Sequence, residues 1–148
     1  MSPATSSTAP VRVNVTHTYT SDPKTVFEAL SEHENLGPVF GAKITRTRDG
    51  DSHRNGVGSS RKLNIGPLPP ITETVVVWEP NTHIEYQITK GGFPLKDHYG
   101  IQRLSPTDDG GTRLDYTIAF NTAIPGMAGV VAKQLTTALS KGLPKLVP

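Results

Sequence analysis

The sequence predicts an α+β fold in which a curved antiparallel sheet of about seven strands wraps around a long C-terminal helix, with a ligand cavity between them. Three observations carry this. Short runs that alternate apolar and polar residues recur about every ten residues, with Gly, Pro, Asn and Asp between them, which is the pattern of a meander. No crossover helix separates these runs, so parallel pairing is disfavoured. Near the C-terminus the apolar period lengthens from two to about four, as in an amphipathic helix.

The opening "MSPATSSTAP" has neither the basic nor the apolar region of a signal peptide, and reads as a disordered tail over residues 1–10. "VRVNVTHTYT" then alternates strictly. Val11, Val13, Val15, His17 and Tyr19 share one face, which makes this a half-buried strand. In "SDPKTVFEALSEHENLG", Asp22 caps a helix and Pro23 suits its first turn. Val26, Phe27 and Leu30 form the apolar stripe, and Gly37-Pro38 ends the run. "SEHEN", with His33, reads as a solvated helix end.

Strands follow in "AKITRTR", "VGSSRKLNI", "ITETVVVW", "THIEYQIT", "KDHYGIQRL" and "GTRLDYTIAF". Turns separate them at Asp49 to Asn55, Gly66 to Pro70, Glu79 to Asn81 and "SPTDDGG". The last helix, roughly Met127 to Lys141, carries its apolar stripe through Met127, Val131, Leu135, Leu139 and Gly142. That stripe needs a partner, and the sheet's apolar face is the only large one. A strongly twisted sheet curls, so its concave side and the helix enclose a cavity.

Length and composition limit the alternatives. The 148 residues suit one domain, over 11–148, and 34% apolar residues is too many for a disordered chain. The 14 glycines and 13 prolines cluster between apolar runs, as turns do. A net charge of +2, with basic residues scattered, gives no nucleic-acid footprint. With no cysteine there is no disulfide, thiolate metal site or cysteine nucleophile. No apolar run approaches the roughly 20 residues of a membrane span. A cytoplasmic location follows as the default.

The segments "SDPKTVFEALSEHENLG", "VGSSRKL", "ETVVVWEPNTHIEYQI", "YGIQRLSPTDDGGTRLDYTIAF" and "LTTALSKGLPKL" occur in an order and spacing that resemble one superfamily. This is the polyketide cyclase/dehydrase and lipid-transport (SRPBCC, START-like) superfamily, with the helix-grip fold of the birch-pollen-allergen type. The resemblance runs from about Val11 to Leu146. It implies the fold and does not select an activity, because the superfamily holds ligand carriers, cyclases, ring hydroxylase domains and chaperone cofactors.

The candidate site residues are polar groups in phase with apolar ones. Arg61 shares a face with Leu63 and Ile65, and Glu73 with Val75 and Val77. The hairpin between them brings the two charges opposite or diagonal, so an ion pair is their least costly arrangement. Adjacent residues on a strand face opposite ways, so Asp97 and His98 cannot form a dyad. Tyr99 and Ile101 favour Asp97 as the inner residue. Leu104, beside Leu114, favours His98, Gly100, Gln102 and Leu104, and the resemblance supports that second phase. Tyr19, Tyr86 and Tyr116 lie on apolar faces, as core residues or as ligand contacts with a hydroxyl for orientation. Phe40 and Phe93 sit in Gly/Pro-rich loops, as cavity mouth or buried anchors.

The expected ligand-binding set is therefore Tyr19, Arg61, Glu73, Tyr86, His98, Gln102, Tyr116 and Leu135, with His98 the candidate catalytic group. The expected function is binding of a small hydrophobic or aromatic ligand, lipid or polyketide-like. The alternative is a polyketide cyclase or dehydratase, with His98 as acid or base and Arg61 stabilising oxyanion charge. A protein-interaction role is disfavoured by the polar outer strand faces. No histidine pair has metal-ligand spacing and no serine sits in a Gly-x-Ser-x-Gly elbow, so no metal, cofactor or hydrolase triad is expected. Neither nucleic acid nor membrane insertion is expected, and the chain is read as a monomer or weak dimer.

Overall fold

A computed structural model describes residues 8–64 and 69–148. The expected tail through residue 7, the turn from Gly66 to Leu68 and the face assigned to Ile65 lie outside the described residues. Seven strands form one antiparallel sheet: β1 (Val11–Tyr19), β2 (Lys43–Arg48), β3 (Ser60–Asn64), β4 (Ile71–Glu79), β5 (His83–Lys90), β6 (Leu95–Pro106) and β7 (Thr112–Thr122). From β2 to β7 each strand pairs with its sequence neighbour, and β1 joins at the far edge beside β7, with Val11 opposite Ala119 and Tyr19 opposite Thr112. In the stretch expected as tail, Ala9 is buried and the Pro10 carbonyl accepts from the Phe120 N–H.

Helix α1 (Pro23–Ser31) starts where Asp22 accepts from the Thr25 N–H at 2.9 Å. The chain was expected to leave helix at Gly37-Pro38. It continues instead through a 3-10 turn at His33–Leu36 and a helical turn, α2 (Gly37–Phe40), which ends at Gly41 with φ of +66°. A proline is tolerated in the first turn of a helix, so Pro38 starts α2 rather than stopping helical structure. Val26, Phe27, Leu30, Leu36 and Val39 fill the core from this side.

Helix α3 (Met127–Gly142) packs on β1, β7 and α2. Its stripe is graded. Leu139 and the following Leu143 are fully buried, whereas Val131 and Leu135 are half-buried. Gly142 makes the close approach to α2 possible, because a Cβ there would sit 2.2 Å from the Val39 carbonyl oxygen.

Among several register shifts, one in β1 between Val11 and Val13 leaves Val11 59% exposed, off the face assigned to it, and two bulges bear on the site. The register of β4 shifts between Val75 and Val77, so Val77 lies opposite Glu85 and leaves the face assigned to it, while Trp78 lies opposite Ile84. The Trp78 ring packs on Phe27 at 5.3 Å and its Nε1–H donates to Ser31 Oγ at 3.0 Å. The second bulge falls in β6 between Lys96 and Tyr99, with Asp97 at φ of +57°. No helix among the described residues is long and apolar enough to cross a membrane.

Candidate functional site

The inner faces of β3 to β7 carry a connected set of buried polar groups. Arg61 on β3 is directly opposite Glu73 on β4. Its Nε–H donates to Glu73 Oε1 at 2.9 Å, and Nη2 makes an ion-pair contact with the same oxygen at 2.9 Å. Both side chains are almost wholly buried, at 4% and 7% exposure, so each charge depends on the other. Burial opposes the Arg61 charge most, yet Glu73, Tyr86 and Tyr116 together outweigh it and hold the guanidinium above its ordinary pKa.

Two histidines flank this pair. His98 is the inner residue of its strand, its side chain 5% exposed, with Nε2 3.9 Å from Glu73 Oε2. Its Nδ1 accepts from the Ile88 N–H at 3.2 Å, which puts the ring proton of the neutral form on Nε2. Burial lowers its pKa, so the neutral form is favoured. Asp97 lies on the outer side, exposed, and accepts from Asn121 Nδ2 at 3.0 Å, so the adjacent pair does not meet.

The second is His33, which the sequence reading left on a solvated helix end. It is fully buried in the 3-10 turn. Its Nδ1 is 2.9 Å from Arg61 Nη1. A guanidinium only donates, so Nδ1 accepts and the proton sits on Nε2. Burial, then the Arg61 charge, pull its pKa down to about 3. A signal for this was present: His33 is three residues after Leu30 and three before Leu36, on the stripe that faces the core.

Tyrosines complete the set. The Arg61 guanidinium carbon lies 4.8 Å from the centre of the Tyr86 ring, a cation–π contact. The Tyr86 hydroxyl meets that of Tyr116 in a short hydrogen bond. Burial first, and then neighbouring charge, raise both phenols above their usual pKa, so both stay protonated. Gly100, opposite Tyr86 in the ladder, leaves the room its ring needs, since a Cβ there would lie 2.3 Å from Tyr86 Cζ. Gln102 is opposite Tyr116 and buried, and Phe40 meets the Tyr116 ring edge-on at 6.4 Å.

The structure thus brings Arg61, Glu73, Tyr86, His98, Gln102 and Tyr116 together and adds His33. Two expected residues stand outside this polar set. Tyr19 donates its hydroxyl to the Leu143 carbonyl at 2.7 Å, which ties β1 to the end of α3. Leu135 packs half-buried at the edge of the apolar core. Phe93 is 77% exposed, so it is not a buried loop anchor.

Donors outnumber acceptors in this cluster. Among the described residues, His33 Nε2 and Gln102 Nε2 are buried without a well-formed hydrogen bond, Gln102 lying beside the Tyr116 hydroxyl, and Arg61 Nη2 meets only the Glu73 Oε1 that Nε already uses. Each is an N–H group, and such groups are costly to leave unpaired. No set of three His, Asp or Glu side chains among the described residues is arranged to hold a metal ion.

Solved structures share this architecture at low identity. A START superfamily protein from Mycobacterium smegmatis superposes with a TM-score of 0.75 at 15% identity, covering 91% of this chain and 95% of that one. A norcoclaurine synthase from Thalictrum, in complex with a transition-state analogue, gives 0.67 at 14% identity over 97% and 96%. An Aha1 dimer from Colwellia psychrerythraea gives 0.65 at 16% identity over 90% and 91%. At these identities the likeness establishes the fold alone. A comparison with curated proteins gives no match. The family model described as "Polyketide cyclase / dehydrase and lipid transport" matches residues 10–148, and with the seven-stranded sheet and long C-terminal helix this shows that the chain belongs to that family.

Proposed function

We propose that the chain binds a small hydrophobic or aromatic molecule, lipid or polyketide-like, between the sheet and α3, with an acceptor-bearing end of the ligand against Arg61. The observation that carries this is the surplus of buried donors: His33 Nε2 and Gln102 Nε2 have no hydrogen bond, and Arg61 Nη2 shares with Nε the one Glu73 oxygen that both reach. A carbonyl, carboxylate or phenolate oxygen supplies what they lack. The half-buried apolar residues Phe40, Leu95, Val131 and Leu135 suit the rest of such a ligand.

The cyclase or dehydratase reading is the weaker one. With Nδ1 bonded to the Ile88 N–H and its proton on Nε2, His98 is able to donate a proton inward but has no inward lone pair with which to take one. General-base chemistry would require that bond to break.

Titration calorimetry with an aromatic carboxylate and a polyphenol tests the proposal. A hydrogen bond to a charged group is worth about 1.5–3 kcal/mol, so Arg61→Met should weaken an anionic ligand roughly ten- to a hundredfold. Gln102→Leu keeps the ion pair intact and should weaken the same ligand about tenfold. If neither ligand class binds, or if Gln102→Leu leaves every affinity unchanged, the donor cluster is not an anchor.

A further inference from the structure

The two ends of the sheet differ in chemistry. One end carries the start of β1, the β5–β6 loop (91–94), the β7–α3 loop (123–126) and the first turn of α3. Among the described residues the exposed large hydrophobics are Val11, Val57, Phe93, Ile124 and Val130, and all but Val57 lie at this end. The two loops are joined, since the Ala123 N–H donates to the Pro94 carbonyl at 2.8 Å and Leu95 is opposite Thr122. Phe93 and Ile124 therefore project from one connected rim.

The ends also differ in their balance of charge. Lys43, Lys90 and Lys96 are exposed at the strand tips of this end, where Asp97 is the acidic residue among those described. The turns of the opposite end carry Asp49, Asp51, Glu79, Asp108 and Asp109 beside Arg48 and Arg54, with Arg48 paired to Asp51. An exposed aromatic flanked by lysines, "KGGFPLK", joins an apolar tip to positive charge. That combination fits a surface that is apolar beneath and anionic on top.

We infer that this rim is a docking surface for an anionic lipid bilayer, entered by Phe93 and Ile124 at headgroup depth and held by Lys43, Lys90 and Lys96. The contact is peripheral and needs no spanning segment. It does not depend on which ligand, if any, occupies the interior.

Co-flotation of the full chain with vesicles decides it. Two compositions are used, phosphatidylcholine alone and phosphatidylcholine with about 30% phosphatidylserine. The chain should float with the anionic vesicles and not with the neutral ones, and about 0.5 M salt should release it. Each lysine near such a surface contributes roughly a fivefold factor, so Lys90→Glu with Lys96→Glu should cut partitioning at least twentyfold. Phe93→Ser should cut it about tenfold at unchanged charge. The double variant Lys141→Glu with Lys145→Glu makes the same charge change away from this end, where both lysines are exposed. It should retain most of the binding. Failure of the wild type to float with anionic vesicles overturns the inference. So does an equal loss in both double variants, or no loss in Phe93→Ser. A chain that self-associates through Phe93 on gel filtration and ignores vesicles would make the rim an interface between copies instead.

Discussion

Acid should unfold this protein earlier than its carboxylates alone require, and His33 is the reason. Burial, then the Arg61 guanidinium, pull its folded-state pKa from the ordinary 6.5 down to about 3. A histidine whose folded pKa is depressed carries no penalty above its unfolded value, because both states are then neutral. Below about pH 6.5 the unfolded chain takes a proton that the folded chain refuses, so stability falls as pH drops through that window. One such group costs up to about 1.4 kcal/mol per pH unit, or roughly 2.3 kcal/mol between pH 6.5 and 4.5. That is a large share of the roughly 5–15 kcal/mol that holds a domain of this size. Burial shifts His98 in the same direction, so its contribution has the same sign. The assay is urea unfolding at half-unit pH steps. His33→Asn puts a non-titrating amide oxygen near the place of Nδ1, where it accepts from Arg61. It should lower stability at neutral pH through lost packing, yet flatten the slope between pH 6.5 and 4.5 by up to about 1.4 kcal/mol per unit. An unchanged slope in His33→Asn, or a wild type whose stability is level over this range, would refute the account of His33 as buried, neutral and pressed against Arg61.

Three further outcomes are expected. Arg61→Met leaves Glu73 buried without its partner and should cost about 3–5 kcal/mol, while the double change Arg61→Met with Glu73→Gln should recover much of it, as a chemical-denaturation double-mutant cycle would show. Gly100→Ala forces the Tyr86 ring aside from a 2.3 Å approach and should cost about 1–3 kcal/mol in thermal or urea melts; a neutral result would mean the ring does not cross Gly100. Leu139→Ala should cost about 3 kcal/mol and Leu135→Ala about 1, because the first is fully buried and the second only half; equal denaturant midpoints would contradict the graded packing of α3.

What the sequence made legible follows from where periodicity survives. The strands were readable because β1 alternates from Val13 to Tyr19 and β7 from Thr112 to Ile118, and α3 because its stripe holds from Met127 to Gly142. The Arg61 and Glu73 juxtaposition was readable for the same reason: two charges in phase with apolar neighbours across one hairpin. Bulges were not readable. The extra residue near Val76 moves Val77 off the inner face and Trp78 onto it, and nothing in "TVVVWE" marks which valine is skipped. His33 was missed because "SEHEN" is polar enough to pass as a solvated helix end. Its neighbours are in fact tied to other strands and loops: Ser31 to Trp78, Glu32 to Arg54 and Asn55, Glu34 to Arg46. These side chains cover polar segments that are distant in sequence, so no local pattern announces them.

The pairing of β1 with β7 sets a timetable during synthesis. Every other strand finds its ladder partner in the next or previous strand, so β2 to β7 can add to the sheet as they emerge. β1 is made first and its partner is made last: Tyr19 waits for Thr112, and Val11 for Ala119. At roughly 5–20 residues per second, that is an interval of about 5–20 s in which a strand of high β-propensity has no ladder to join. Arg12 and Asn14, set between the valines, are the residues that guard it against pairing with a neighbouring chain in that interval. Arg12 also serves the finished fold, its Nε–H donating to the Phe120 carbonyl at 2.7 Å. Asn14→Val is therefore the cleaner change: it should leave the finished fold little changed and show its cost as aggregation of chains still on the ribosome.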